Sequence, residues 1–121
     1  MRWAAFLVGP EEKSAEITVI PAGGDLRGNI QRWMGQIRPD GVTDEQVDSV
    51  IAEGKTVTVD GIESQRFLMS GSGEPLQAID ATIVPLGEGF SLFIKMTGDA
   101  ETVAAESERI QQFLDSLKLN Q

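Results

Sequence analysis

Residues 90–117 read FSLFIKMTGDAETVAAESERIQQFLDSL, and this stretch decides the architecture of the chain. Phe90, Leu92, Ile94 and Met96 alternate with Ser91, Phe93 and Lys95, the period of a strand that buries one face. Gly98 is expected to break that strand. Asp99 then stands where a helix N-cap belongs, its carboxylate free to accept a backbone N–H. From Ala100, the apolar residues Val103, Ile110, Phe113, Leu114 and Leu117 recur at helical spacing, with Glu101, Glu106, Glu108, Arg109 and Gln112 between them. A strand thus hands the chain to a helix that can lie back on the sheet. Phe93 is the only large apolar residue on the strand's other face. If that face is covered, the two helices upstream are the elements to cover it.

Working outward, the preceding segments read as strands joined by turns. KTVTV (55–59) meets IESQRFLMS (62–70) across Asp60-Gly61, the strongest short hairpin signal in the chain. GSGEP (71–75) turns into LQAIDATIVP, and LGEG (86–89) turns into FSLFIKM. Successive hairpins make these strands an antiparallel meander. Further back, residues 2–8 and 15–21 read as an opening hairpin around the turn GPEEKS, with Pro21 expected to end it.

Two helices separate the opening hairpin from the meander. LRGNIQRWMGQI (26–37) follows Asp25, a candidate N-cap. At roughly 100° per residue, Leu26, Ile30, Trp33 and Ile37 share one face, which is the expected core face. Asn29, Arg32 and Gln36 cluster beside it, with Trp33 at the border. After the break at Arg38, Pro39, Asp40 and Gly41, Thr43 and Gln46 form a capping box, and Val42 with Val47 a hydrophobic staple. Val47, Val50 and Ile51 are expected to face inward, and Asp44, Glu45, Asp48 and Glu53 to face water. The element order is therefore ββ-αα-ββββ-α, an α+β fold in which helices flank an antiparallel sheet.

At 121 residues the chain is a single domain, residues 1–121, long enough to bury an ordinary core. It has no cysteine and no histidine, which removes disulfides, thiolate zinc sites, cysteine nucleophiles and the commonest general base. A formal charge of −9 repels nucleic acid and favours a solvated acidic surface. No apolar run reaches the length of a membrane span, and the N-terminal MRWAAFLVG reads as a strand rather than a signal peptide.

Motifs for catalysis or cofactors are weak. Gly71-Ser72-Gly73 is not GxSxG and has no histidine to activate it, so it reads as a hairpin loop. Ala22-Gly23-Gly24-Asp25 matches neither phosphate-loop pattern, and Asp25 itself would repel phosphate at the helix start. Asp40, Asp44, Glu45 and Asp48 lie close together but lack the EF-hand spacing. Asp80 reads equally well as a surface residue of its strand. No cofactor and no metal site is therefore expected. The constellation that stands out is Asn29, Arg32, Trp33 and Gln36, three hydrogen-bonding groups beside an indole on one side of a helix, suited to a protein partner or small ligand. Arg66 in its strand would extend that patch if it faces the same way.

Several of these segments resemble the PsbP/Mog-like superfamily, in its uncharacterised bacterial branch. The matching residues are Asn29, Arg32, Trp33, Gly35 and Gln36, then Phe93, Lys95, Thr97, Gly98 and Asp99, then Phe113, Leu114 and Ser116. The resemblance covers most of the chain and implies an α/β/α sandwich around an antiparallel sheet. It implies no activity. Members serve as photosystem accessory proteins or as a Ran-binding factor, and many are bacterial lipoproteins, which favours a place outside the cytoplasm. One departure is the lack of the additional N-terminal strand with a P-x-G-W-like segment that relatives carry. An edge left open in this way would favour strand exchange or a homodimer through the exposed edge strand.

The first reading is thus a non-enzymatic interaction or accessory domain, with Asn29, Arg32, Trp33 and Gln36 as its binding ridge. The alternative is a small-molecule binding domain with a pocket between the first helix and the sheet. A third, a serine- or carboxylate-based hydrolase, needs a cleft holding a titratable pair.

Overall fold

A computed structural model describes residues 4–8, 14–87 and 89–116. Residues 2 and 3 of the expected first strand, most of the GPEEKS turn and Leu117 of the closing helix lie outside them. The elements run β1 (Ala4–Val8), β2 (Ala15–Gly23), α1 (Leu26–Ile37), α2 (Asp44–Ala52), β3 (Lys55–Val59), β4 (Ile62–Ser70), β5 (Gln77–Gly87), β6 (Phe90–Asp99) and α3 (Ala100–Ser116). This is the α+β order expected from the sequence. One six-stranded antiparallel sheet, ordered β1-β2-β6-β5-β4-β3, carries helices on both faces. The meander β3 to β6 follows from its turns, and at Asp60-Gly61 both residues have positive φ, 49° and 80°.

β6 is the strand on which both cores are built. Leu92, Ile94 and Met96 point to one face and join Ile17, Val19, Val84, Val103, Ile110 and Leu114 in a core under α3. Phe93 points to the other face, into a second core with Ile30, Trp33, Met34, Ile37, Val47, Phe67, Met69 and Ile79. The two upstream helices therefore cover the face that Phe93 marks. Among the described residues no helix is long and apolar enough to cross a membrane.

Three local expectations are corrected. β6 runs through Gly98 to Asp99 instead of breaking, and Gly98 pairs with Ala15 of β2 and Ala78 of β5. A Cβ at Gly98 would stand 2.5 Å from the Ala15 Cα and 2.6 Å from the Ser14 carbonyl oxygen, so glycine serves close packing of backbones here, not a turn. Asp99 still caps α3, accepting the Thr102 N–H at 3.2 Å. β2 continues past Pro21, which pairs with Leu92, to Gly23. Pro21 lies beyond Ala4–Val19, the last described pair on the β1 side.

The third correction concerns Asp80 and Arg66. Asp80 is not a surface residue: its side chain is 2% exposed, on the α3 face of β5. Arg66, from the neighbouring β4, grips it in a bidentate pair, Nε to Oδ1 at 2.9 Å and Nη2 to Oδ2 at 2.6 Å. The same guanidinium donates to the Ser107 carbonyl at 2.8 Å and to Gln111 Oε1 at 2.9 Å, both on α3. Arg66 therefore faces away from α1 and cannot extend a patch around Trp33. The period of β4 puts Phe67, not Arg66, on the α1 side.

Asp80→Ala leaves that guanidinium buried without its counter-charge, and urea denaturation should show a loss of about 3–5 kcal/mol. Replacing both partners with Arg66→Met and Asp80→Leu should cost less than the single change. Gly98→Ala drives a methyl into the β2 backbone and should lower the urea midpoint by the equivalent of about 1–3 kcal/mol; an unchanged midpoint would show that β2 does not pack this closely.

Candidate functional site

The face bearing α1 holds the residues that could bind something. The helix is tied down at both ends. The Gly28 N–H donates to Asp25 Oδ2 at 2.9 Å, the expected cap, and Arg27 bridges to Asp48 and to Asp44 of α2, the latter at 3.5 Å. At the C-terminal end, the Ser72 N–H donates to the Ile37 carbonyl at 3.1 Å, and Arg38 Nε to the Ser70 carbonyl at 2.9 Å. The capping box of α2 forms as read, with Thr43 and Gln46 each accepting the other's backbone N–H. So the acidic residues at the start of α2 are largely spoken for: Asp44 and Asp48 turn to Arg27, and Asp40 accepts from the Ser72 hydroxyl. That hydrogen bond also holds the Asp40 carboxyl below the usual range.

The buried stripe of α1 is Asn29, Ile30, Trp33, Met34 and Ile37. It is rotated from the expected core face, for Leu26 is 36% exposed while Met34 and Asn29 are buried. The four residues of the expected ridge are consequently split. Trp33 is 3% exposed and stacks edge-on against Phe93, with ring centroids 5.3 Å apart and planes at 88°. It is a core side chain first. Asn29 turns one way and Arg32 and Gln36 the other, with Phe93 forming a wall of both hollows.

The first hollow, of about 350 Å³, lies beneath the N-terminal turns of α1. Leu26, Ile83, Pro85 and Phe93 make it mainly apolar, and Asn29, Glu63, Gln65 and Ser91 bring polar groups to it. Asn29 is only 4% exposed, yet its side-chain amide has no hydrogen-bond partner among the described residues. The amide is nevertheless open to the cavity that it lines. Gly24, held at φ 103°, packs alongside: a Cβ there would come 3.5 Å from Asn29 Nδ2. The sequence pointed to Asn29 but not to its burial. The cavity's other walls come from β4, β5 and β6, so no spacing within α1 could have revealed them.

The second hollow, of about 190 Å³, is bounded by Arg32, Trp33 and Gln36 on α1 and by Thr18, Ile20, Phe93 and Lys95 on the sheet. Lys95 Nζ stands 5.5 Å from the Trp33 ring centroid and the Arg32 guanidinium carbon 5.9 Å from it. Burial pushes the Lys95 ammonium below its ordinary range, the neighbouring Arg32 charge pushes it the same way, and Glu16 acts in the opposite sense.

A third concavity, of about 930 Å³, runs between β4 and α3 on the far face. It is lined in part by the Arg66–Asp80 pair, which is already bonded to Ser107 and Gln111 and so is committed to the fold. No protein-family model matches the chain, and no curated protein matches it at a significant level.

Because its folded pKa is lowered, Lys95 opposes folding while charged, and its contribution improves as pH rises from the folded pKa towards the ordinary 10.5. Arg32→Gln removes one of the two causes. Titration of the Lys95 Nζ resonance by NMR should place its pKa higher in Arg32→Gln than in the parent, though still below the ordinary value. An identical pKa in both proteins would mean that the two cations are not neighbours in solution.

Proposed function

We propose that this domain is a non-enzymatic binding module whose α1-side cavity takes a small, largely apolar molecule bearing one hydrogen-bonding head group. The observation that carries this reading is Asn29, a side chain 4% exposed whose amide opens into a cavity of about 350 Å³ with no partner among the described residues. The amide is open to the cavity, where a ligand's hydrogen-bonding group can reach it and take the place of water, while the residue's low exposure keeps it fixed in position. The cavity volume lies within the usual range for small-molecule sites, and the apolar walls with few polar groups are their usual composition. That the module is not an enzyme rests on a sequence without histidine or cysteine.

The broader reading, an accessory domain of the PsbP/Mog-like kind that works through a protein partner outside the cytoplasm, rests on the sequence resemblance. The α/β/α layering agrees with that resemblance at the level of architecture. An architecture of this kind is compatible with many functions, and Asn29 therefore weighs more heavily.

A fragment collection of small lactams, amides and alcohols with aliphatic or aromatic bodies tests the proposal by thermal shift and by NMR. Binders should raise the melting temperature of the parent and move the Asn29 side-chain NH₂, Ser91 and Ile83 resonances. Asn29→Leu should keep the fold and lose the response to those binders by about tenfold or more in affinity, the loss of one buried hydrogen bond. Failure of every fragment to perturb the cavity resonances would return the function to a protein partner.

A further inference from the structure

We infer that the hollow between α1 and the β2–β6 strands is a second site, built to hold the carboxylate of a small monoanionic organic acid against Arg32 and Lys95. It is independent of the cavity beneath Asn29 and shares only the Phe93 wall with it.

The starting observation is a local reversal of charge. The chain carries −9 overall, yet here two cations approach one indole from within 6 Å. Neither has a carboxylate of the described residues within ion-pair distance; Arg38 and Lys55 lack one too, but of these four cations only Arg32 and Lys95 line one hollow together. Arg32 lies close enough to disfavour the charge on Lys95, and Glu16 offsets only part of that. An anion seated between them removes the repulsion and gains a charge-assisted hydrogen bond from each.

The surroundings suit such a ligand. Trp33 and Phe93 form a rigid apolar back wall, fixed by their edge-on contact. Gln36, exposed on the next turn of α1 from Arg32, supplies a neutral amide at the rim, and Ile20 an apolar side. Thr18 is held in place by the hydrogen bond from its hydroxyl to the Lys95 carbonyl, 3.4 Å. Thr18 and Lys95 are directly paired across β2 and β6, which places both in the wall of the hollow. A volume of about 190 Å³ admits a carboxylate with a few carbons and not a large molecule.

The class of anion follows from the overall charge. A field of −9 opposes an incoming anion in proportion to that anion's own charge. A singly charged carboxylate meets the least opposition, a phosphate dianion more, and a nucleic acid the most. The arginine fork matches a carboxylate in a bidentate manner, and Lys95 supplies the second point charge.

The test is a ¹H–¹⁵N NMR titration of the whole chain with sodium acetate and sodium benzoate, with sodium chloride at matched ionic strength and inorganic phosphate as separate arms. The expected result is a saturable shift of the Trp33 indole N–H and the Lys95 Nζ resonance with either carboxylate, absent with chloride, and a rise in the Lys95 pKa as the site fills. Arg32→Gln, at an exposed position, and Lys95→Met should each weaken carboxylate binding by about tenfold or more while leaving the backbone spectrum folded. Asn29→Leu should leave it unchanged, which separates this site from the apolar cavity. Shifts that match those in chloride, or that persist in the Arg32→Gln, Lys95→Met double variant, would overturn the site. Tighter binding of phosphate than of either carboxylate would overturn the assignment to a monoanion.

Discussion

The bidentate pair between Arg66 and Asp80 is the contact on which the layering of this domain depends. It joins two neighbouring strands side chain to side chain on the face that α3 covers, and the same guanidinium reaches the Ser107 carbonyl and Gln111 on the helix. Such a buried pair adds little net stability, because taking both charges from water costs about what their attraction returns. What it does is tie two strands and α3 together at one guanidinium. A helix that slid along its apolar stripe would leave a charge buried without partners, whereas Val103, Ile110 and Leu114 alone would tolerate several positions.

With α3 held on one face, β6 is free to serve two cores. Its alternation sends Leu92, Ile94 and Met96 to α3 and Phe93 and Lys95 to α1. Phe93 against Trp33 marks the centre of the contact between α1 and the sheet, and the hollows beneath Asn29 and beside Arg32 flank that contact. The binding surfaces proposed for the domain are thus consequences of its packing. They sit between rigid elements, where positions hold more closely than on loops.

Where an element begins and what turns the chain were legible in the sequence, because those signals act within about four residues. Asp25, Asp99, Thr43 with Gln46, and Asp60-Gly61 all do what their spacing implies. The four-residue ridge on α1 was only half legible. Helical geometry groups Asn29, Arg32 and Gln36 on one side, but it cannot say what lies opposite. The sheet sets a largely apolar cavity before Asn29 and a lysine before Arg32. Gly98 misled for a related reason: a glycine needed for the approach of a distant backbone looks, in one dimension, like a turn.

By itself the sequence determined the α+β order, the antiparallel meander, the helix caps and the absence of histidine and cysteine chemistry. Each is local or compositional. Only the tertiary structure decided that Asp80 is buried beneath α3, that Arg66 turns away from α1, that Gly98 lies within a strand, and that Asn29 and Lys95 line hollows on either side of Phe93. Those outcomes depend on strand register and on which face each helix crosses, and both arise from contacts between residues far apart in the chain.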